Sequence, residues 1–488
     1  MKKIILGLIF IMIIIPSILS ARRDCLQEAK LDALGRSSRP DKDTLTISPS
    51  GHFYIHYDIT GNAAPDLTDS NGNGIPDYVD EVGMIADSAY HVLVDVLGYD
   101  EEPFDGEGGY DIYIMRYSAG VYGYNYKDPY CCTISDITNN CIDADIDNKN
   151  DCINSGLFWV PGASYLQIDN DYVGYNSQFN LTPLQIMRIS VAHEYFHGIQ
   201  WGYEDNLGSN AYFYEMTSMW FEDVLIPDGN DYLDGWADPL LSNPTADFDN
   251  TGNGYELALF GHYLSSFLDP KGIDSAKNST IIREMWERYS NCTDNHSSNG
   301  CNTRGALYTT EEILEANYHT TFIKTWADFF SRNLYNGIDA SFYYYPDQAL
   351  INPIDTSPQN LGDIESFTVQ LNNKSVEIES FYLINLDTVF IRHTSDDYTG
   401  RVATVSSDNT ANNLIWGSNG SSIITDDKIH FIYGSETYSS TVEVRLFETY
   451  PYNYSLVDVN PNSETYGDTL SPGYYGNQVT LHYFGHQN

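Results

Sequence analysis

Positive charge is scarce in this chain. Its 488 residues carry 24 Lys and Arg against 68 Asp and Glu, a formal net charge of −44. Nucleic acids and anionic membranes carry the same sign, so repulsion excludes both as partners. Such acidity suits bound Ca²⁺, cationic substrates, or a saline habitat that screens it, and composition does not choose among the three. Long apolar runs are missing too, with one exception at the N-terminus, MKKIILGLIFIMIIIPSILSA (1–21). Two lysines, an apolar stretch, Pro16 and the small residues Ser20 and Ala21 read as an export signal that is removed. No lipobox cysteine follows, because Arg22, Arg23 and Asp24 precede Cys25. With no later run able to span a bilayer, the expected product is secreted, extracellular or cell-surface associated, without membrane insertion after cleavage. Paired C-x₂-C knuckles are absent as well. The seven cysteines therefore read as disulfide partners in an oxidising compartment rather than as a four-cysteine zinc site. Cys292 and Cys301 lie close enough to pair. Cys131, Cys132, Cys141 and Cys152 allow three connectivities, and Cys25 is left over.

What the chain does contain is enough apolar material, 42% of residues, to build two or three cores. Residues 22–49 are polar and irregular and read as an N-terminal arm or short propeptide. HFYIHYDI (52–59) alternates as a strand. His52 and His56, about 13 Å apart on a strand, read as surface or packing residues. Tyr78–Gly98 has helical apolar spacing, while YDIYIMRY (110–117) and SYLQIDND (164–171) read as strands. The second of these, just before the central helix, is the expected edge for pairing an extended peptide. Helices follow over 279–289, 309–318 and 322–335. A Pro/Asn/Ser-rich linker at 352–362 separates them from short alternating runs, SFTVQL to QVTLHYF, expected to form a β-sandwich accessory domain over 363–488.

Between the first strand and helix lies Asp69-Ser-Asn71-Gly-Asn73-Gly74-Ile75-Pro76-Asp77-Tyr-Val-Asp80. Oxygen side chains fall at positions 1, 3, 5, 9 and 12, a glycine turns the loop at position 6, and Ile75 offers its carbonyl at position 7. This is Ca²⁺-loop spacing, with Asp69, Asn71, Asn73, Ile75, Asp77 and Asp80 as ligands. It is similar to the loops of thrombospondin type 3 repeats and dockerins. The plainer reading is an acidic Asn-Gly turn that caps the next helix. A second acidic group, Asp143, Asp145, Asp147 and Asp151, lacks the turn glycine and reads as a solvated loop.

VAHEYFHGIQ (191–200) holds the most chemistry. Thr182 caps and Pro183 opens a helix, so His193 and His197 fall one turn apart on the same face. Two imidazoles so placed can share one Zn²⁺, with Glu194 beside the open position as general base. The metzincin extension would need histidine where Tyr203 stands, which excludes that class. Glu215 on a following helix, 209–225, is the preferred third ligand, with Glu222 as the other candidate. Glu222 and Asp223 are also candidates to orient the histidines.

The runs HEYFHGIQWGYE (193–204), YEMTSMWFEDVL (214–225) and GYELALFGHYL (254–264) resemble a family of secreted prokaryotic zinc metalloprotease-like proteins of gluzincin type. SPSGHFYIHYDITG (48–61), NGNGIPDYVD (71–80) and YDIYI (110–114) fit the same family, so the resemblance covers about residues 48–335. It implies an α+β fold over 50–352: a gluzincin-like catalytic domain with a mixed sheet, a helical lobe and a zinc helix. It implies zinc ligands His193, His197 and Glu215, general base Glu194, and a protein or peptide substrate. For the oxyanion partner, Tyr255 comes first and His262 second. Two departures stand out: Ser218 replaces a small alanine, and Met219 stands where thermolysin-like chains place an orienting Asp. The activity expected is that of a calcium-stabilised zinc metalloendopeptidase. The alternative is an adhesin or binding protein with a degenerate or structural zinc site.

Overall fold

The structure is a computed structural model that describes most of residues 39–360, with gaps at 104–107, 119, 128–130, 134–157, 161–162, 176–178, 205–209, 236, 247, 249–253, 295–304, 339 and 341. It also describes 26–28 and stretches between 366 and 470. The export segment, the second acidic loop, Ser209, most of the cysteines and QVTLHYF lie outside the described residues.

Six strands form the N-terminal sheet: β1 (Leu26–Glu28), β2 (Thr44–Ile47), β3 (Phe53–Tyr57), β4 (Tyr110–Met115), β5 (Gly123–Lys127) and, after the short pair β6 (Cys131–Thr133) and β7 (Phe158–Val160), β8 (Ser164–Asp169). Their order is β1-β5-β8-β4-β3-β2. The pairs β3–β4, β4–β8 and β1–β5 are parallel, and β2–β3 and β5–β8 antiparallel. Alternation sorts β3 as expected, with Phe53, Ile55 and Tyr57 buried toward the helices. The sheet corrects one expectation. SYLQIDND is an inner strand, not a free edge, because GYNYK (123–127) pairs along its outer side. The Tyr-x-Tyr alternation of that segment is itself a strand pattern, which the neighbouring glycines and cysteines obscure.

Three helices pack by that sheet. α1 (Asp77–Tyr90) buries Val79, Val82, Ile85, Ala86 and Ala89, continues through a wider turn over His91–Val96, and ends at Gly98 with φ +77°. α2 (Pro183–Tyr203) starts with a full capping box, Thr182 and Gln185 serving each other's backbone. From Ile189 to Trp201 every residue of α2 is buried, because the sheet, α1 and α3 (Ala211–Leu225) surround it. Beyond these lie α4 (Ala258–Tyr263), α5 (Ile281–Asp294), α6 (Gly305–Tyr318) and α7 (Phe322–Asn333). Phe248, Phe260, Phe322, Trp326 and Phe329 meet there as an edge-to-face and stacked aromatic cluster.

The C-terminal strands are β9 (Gln359–Asn360), β10 (Ser366–Asn372), β11 (Val376–Tyr382), β12 (Val389–Thr394), β13 (Thr399–Val405), β14 (Ala411–Gly417), β15 (Ser421–Ile424), β16 (Lys428–Gly434) and β17 (Ser439–Phe447). They build a four-stranded sheet, β10-β17-β12-β15, and a five-stranded one, β14-β13-β16-β11-β9. The whole is thus mixed α+β. α7 packs on β16 and β13, and Val376 and Ile432 belong to the same continuous core as the helices.

His52 and His56 do more than pack. His56 Nε2 bonds Asp111 Oδ1 at 2.7 Å, and His52 Nε2 bonds Glu102 Oε1 at 2.6 Å. Glu102 also accepts from the Tyr195 hydroxyl at 2.6 Å, which ties β3 to α2. Burial alone would lower the His52 pKa, but the bond to Glu102 and the charges of Glu102, Glu101 and Asp87 outweigh it, and the net direction is upward from 6.5. A raised pKa contributes stability that is fully present below the unfolded value and fades as pH rises through the folded one. Replacing His52 by Gln should therefore cost more stability near pH ~5.5 than near pH ~8.5, as measured by urea unfolding across that range.

Candidate metal centre

α2 and α3 bring three groups to one point. His193 Nε2 lies 3.0 Å from His197 Nε2 and 3.1 Å from Glu215 Oε2, and His197 Nε2 lies 3.4 Å from the same oxygen. These ligand atoms all fall within 4.8 Å of one another, and all three residues are buried. Of the two carboxylates weighed for the third place, Glu215 is the one that lies beside both Nε2 atoms. Glu222 stands behind instead, with Oε1 2.7 Å from His193 Nδ1.

The far sides of the rings set how each imidazole is oriented. The His193 Nδ1–H donates to Glu222, and the His197 Nδ1–H donates to Gln200 Oε1 at 2.7 Å, leaving both Nε2 lone pairs facing the shared point. Gln200 is itself held by α3: its amide donates to Tyr214 O at 3.0 Å, Thr217 Oγ1 at 2.9 Å and Ser218 Oγ at 3.1 Å. The two departures from the family pattern thus acquire meanings. Ser218 joins the Gln200 network, its hydroxyl 3.2 Å from His197 Nδ1. Met219 is wholly buried apolar filling, and Glu222 orients the ring in its place.

Burial pushes the His197 imidazole below its ordinary pKa, against the pull of Glu215 beside it. Burial alone would raise Glu215, yet His197 and His193 beside it hold its carboxyl down to about 2. An ionised carboxylate is the donor state a cation requires.

Glu194 is fully buried next to the cluster, and β5 runs against it. Asn125 donates its Nδ2 to the Glu194 carbonyl at 2.7 Å and accepts from Trp201 Nε1 at 2.8 Å. Asn125 escaped sequence reasoning, because nothing in YNY marks it. Gln200 had a signal that went unused: it lies three residues past His197, where it can reach back along the helix.

Tyr255 and His262 part company. The Tyr255 ring centroid is 6.5 Å from that of His193. The turn it opens is admitted by Gly254 at φ +91°, where a Cβ would stand 2.1 Å from Tyr212 O. His262 is not among the converging ligands. It packs at 4.7 Å on the Tyr232 ring and faces Asp223 at 3.6 Å. Burial drops the His262 pKa to about 3. Burial, then Asp347, Glu222 and Asp228, raise that of Asp223 well above its ordinary value.

At the acidic loop, Asp69 accepts from the backbone of Gly72 at 2.7 Å, Asn73 at 3.2 Å and Gly74 at 2.9 Å. Asp80 accepts from the side-chain amides of Asn71 at 3.1 Å and Asn73 at 2.8 Å, and Asp77 from Ser70 N at 3.0 Å. Its carboxylates do not converge as the buried triad does; among the described residues that triad is the one such group.

No family profile matches this chain, and no curated protein matches it. Among solved structures, one described as a novel family GH115 4-O-methyl-alpha-glucuronidase with specificity for decorated arabinogalactans is similar at 9% identity. The match covers 73% of this chain and 54% of that one, at a TM-score of 0.13. The chain spans about half the length of that glucuronidase, and a likeness so slight carries no argument.

The buried network is directly testable. Gln200→Ala leaves the His197 Nδ1–H only the Ser218 hydroxyl at 3.2 Å and should cost about 1–3 kcal/mol of stability. It should also weaken zinc binding roughly 10–100-fold, read by competition with a chelating dye. Unchanged affinity would show that Gln200 does not orient the ring.

Proposed function

We propose that this protein is an exported zinc-dependent metallopeptidase that cleaves peptide bonds in protein substrates. The observation that carries this reading is the convergence of His193 Nε2, His197 Nε2 and Glu215 Oε2, with the far side of each imidazole already committed. Zinc bonds of about 2.0–2.1 Å at tetrahedral angles set ligand atoms about 3.3–3.4 Å apart. The separations here, 3.0, 3.1 and 3.4 Å, are close to that edge length. Three protein ligands leave a fourth position for water, the pattern of a catalytic site rather than a structural one. The gluzincin-like architecture of 50–352, the β-sandwich of 363–488, and secretion after loss of 1–21 belong to the same proposal.

His193, His197 and Glu215 hold the ion, and Glu222 and Gln200 hold the histidines. When bound, zinc supplies Lewis acidity, polarising the scissile carbonyl and lowering the pKa of a water to about 7. Glu194 accepts the proton of the attacking water on its carboxylate and passes it to the leaving nitrogen. Tyr255, nearer the histidines, is the better candidate to stabilise the oxyanion. His262, uncharged and facing Asp223, is better placed as packing.

Glu194→Gln should bind stoichiometric zinc yet hydrolyse casein roughly 10²–10⁴-fold more slowly, and chelation should abolish the parent's activity. Unchanged proteolysis in the variant would sink the mechanism.

Calcium at Asp69–Asp80 is part of the proposal in a structural role. To take the ion, the Asn71 and Asn73 amides would have to swing away from Asp80. Calcium should then raise the Tm of the parent and not that of Asp69→Ala. Equal calorimetric responses in calcium and in chelator would remove the assignment.

A further inference from the structure

Glu194 meets one strand at both of its ends. Its carbonyl accepts from the Asn125 side chain at 2.7 Å, and its stem packs against the backbone of Gly123 at the start of the same strand. A Cβ at Gly123 would stand 2.8 Å from Glu194 Cγ and 3.2 Å from Glu194 Oε1. Real Cβ contacts essentially never come so close as the first of these.

Gly123 is not there for backbone freedom, since it is not among the residues with positive φ. What its lack of a side chain supplies is width. The wall behind it is held in place, because β5 is paired with β8 from Gly123↔Ile168 to Lys127↔Ser164, and with β1 further along, from Asn125 to Lys127. Glu194 is wholly buried on a helix enclosed by the sheet and its neighbours, so its backbone is held and the side chain takes up any displacement.

We propose that Gly123 is a positioning residue for Glu194: the bare backbone at this point sets where the glutamate stem lies and so where its carboxylate is presented. The proposal rests on the reading of Glu194 as the proton acceptor. A methyl group at 123 would drive Cγ aside by something on the order of 1 Å. Proton transfer depends on placement at that scale, and misplacement by about 1 Å can cost roughly 100-fold in rate. A competing cause is also present, since the same Cβ would lie 2.9 Å from the Gln167 carbonyl oxygen.

Thermal unfolding of four proteins separates the two causes without any need for activity: the parent, Gly123→Ala, Glu194→Ala and the double variant. If Glu194 sets the constraint, Gly123→Ala lowers Tm by several degrees in the parent and by less than half that amount once Glu194 is alanine. An equal loss in both backgrounds overturns the proposal and assigns the glycine to the Gln167 carbonyl. Should Gly123→Ala fail to fold, folding of the double variant supports the proposal and its failure overturns it. In the zinc-loaded protein, Gly123→Ala should lower kcat roughly 10–100-fold with KM and zinc content retained, and an unchanged kcat overturns the positioning role. A parent that hydrolyses nothing would remove the peptidase reading, while the unfolding cycle would still decide the contact.

Discussion

The structure depends on one demand: a helix buried on all sides carries polar side chains, and each must find a partner. His193, Glu194, His197 and Gln200 are all essentially inaccessible on α2. An unsatisfied polar group in such a place costs about 1–3 kcal/mol, and a charged one more. α3 meets most of the demand through Glu222, Thr217, Ser218 and the Tyr214 carbonyl, all met by side chains of α2. β5 adds a bond to the helix backbone, from Asn125 to the Glu194 carbonyl. The packing of these elements is therefore fixed by hydrogen-bond geometry as much as by apolar area, and it places the converging donors as a by-product.

Those donors define what is unusual about the site. Two imidazole lone pairs and a carboxylate oxygen within about a hydrogen-bond length of each other repel unless a proton or a cation lies between them. The protein accepts that conflict in its interior and holds the rings from behind.

Much of this was legible along the chain. Thr182 and Pro183 announced the helix start, the spacing of His193 and His197 put both rings on one face, and Glu215 on the next helix was within reach. Those signals are local, each contained in a turn or two of helix. The parts that escaped are contacts between distant segments. Asn125 meets Glu194 across 69 positions, and His52 and His56 find carboxylates from loops and strands about 50 positions on. The flanks of β5 are rich in glycine and cysteine, which hides its alternation and leaves the neighbouring strand β8 looking like the edge. The missing Asp at Met219 looked like a defect in sequence. In space the role passes to Glu222, about one further turn along the same helix face.

The linker at 352–362 divides the composition of the chain but not its energetics. α7 lies against β16, where a Cβ at Gly434 would come within 2.6 Å of the Ile323 side chain, and Val376 and Ile432 are fully buried in the same core as the helices. Cutting at the linker would expose that seam to water, at about 1.5–3 kcal/mol for each large apolar side chain uncovered. The two halves should therefore melt as one cooperative unit, because the strand-rich half covers the outer face of α7 and shares its core.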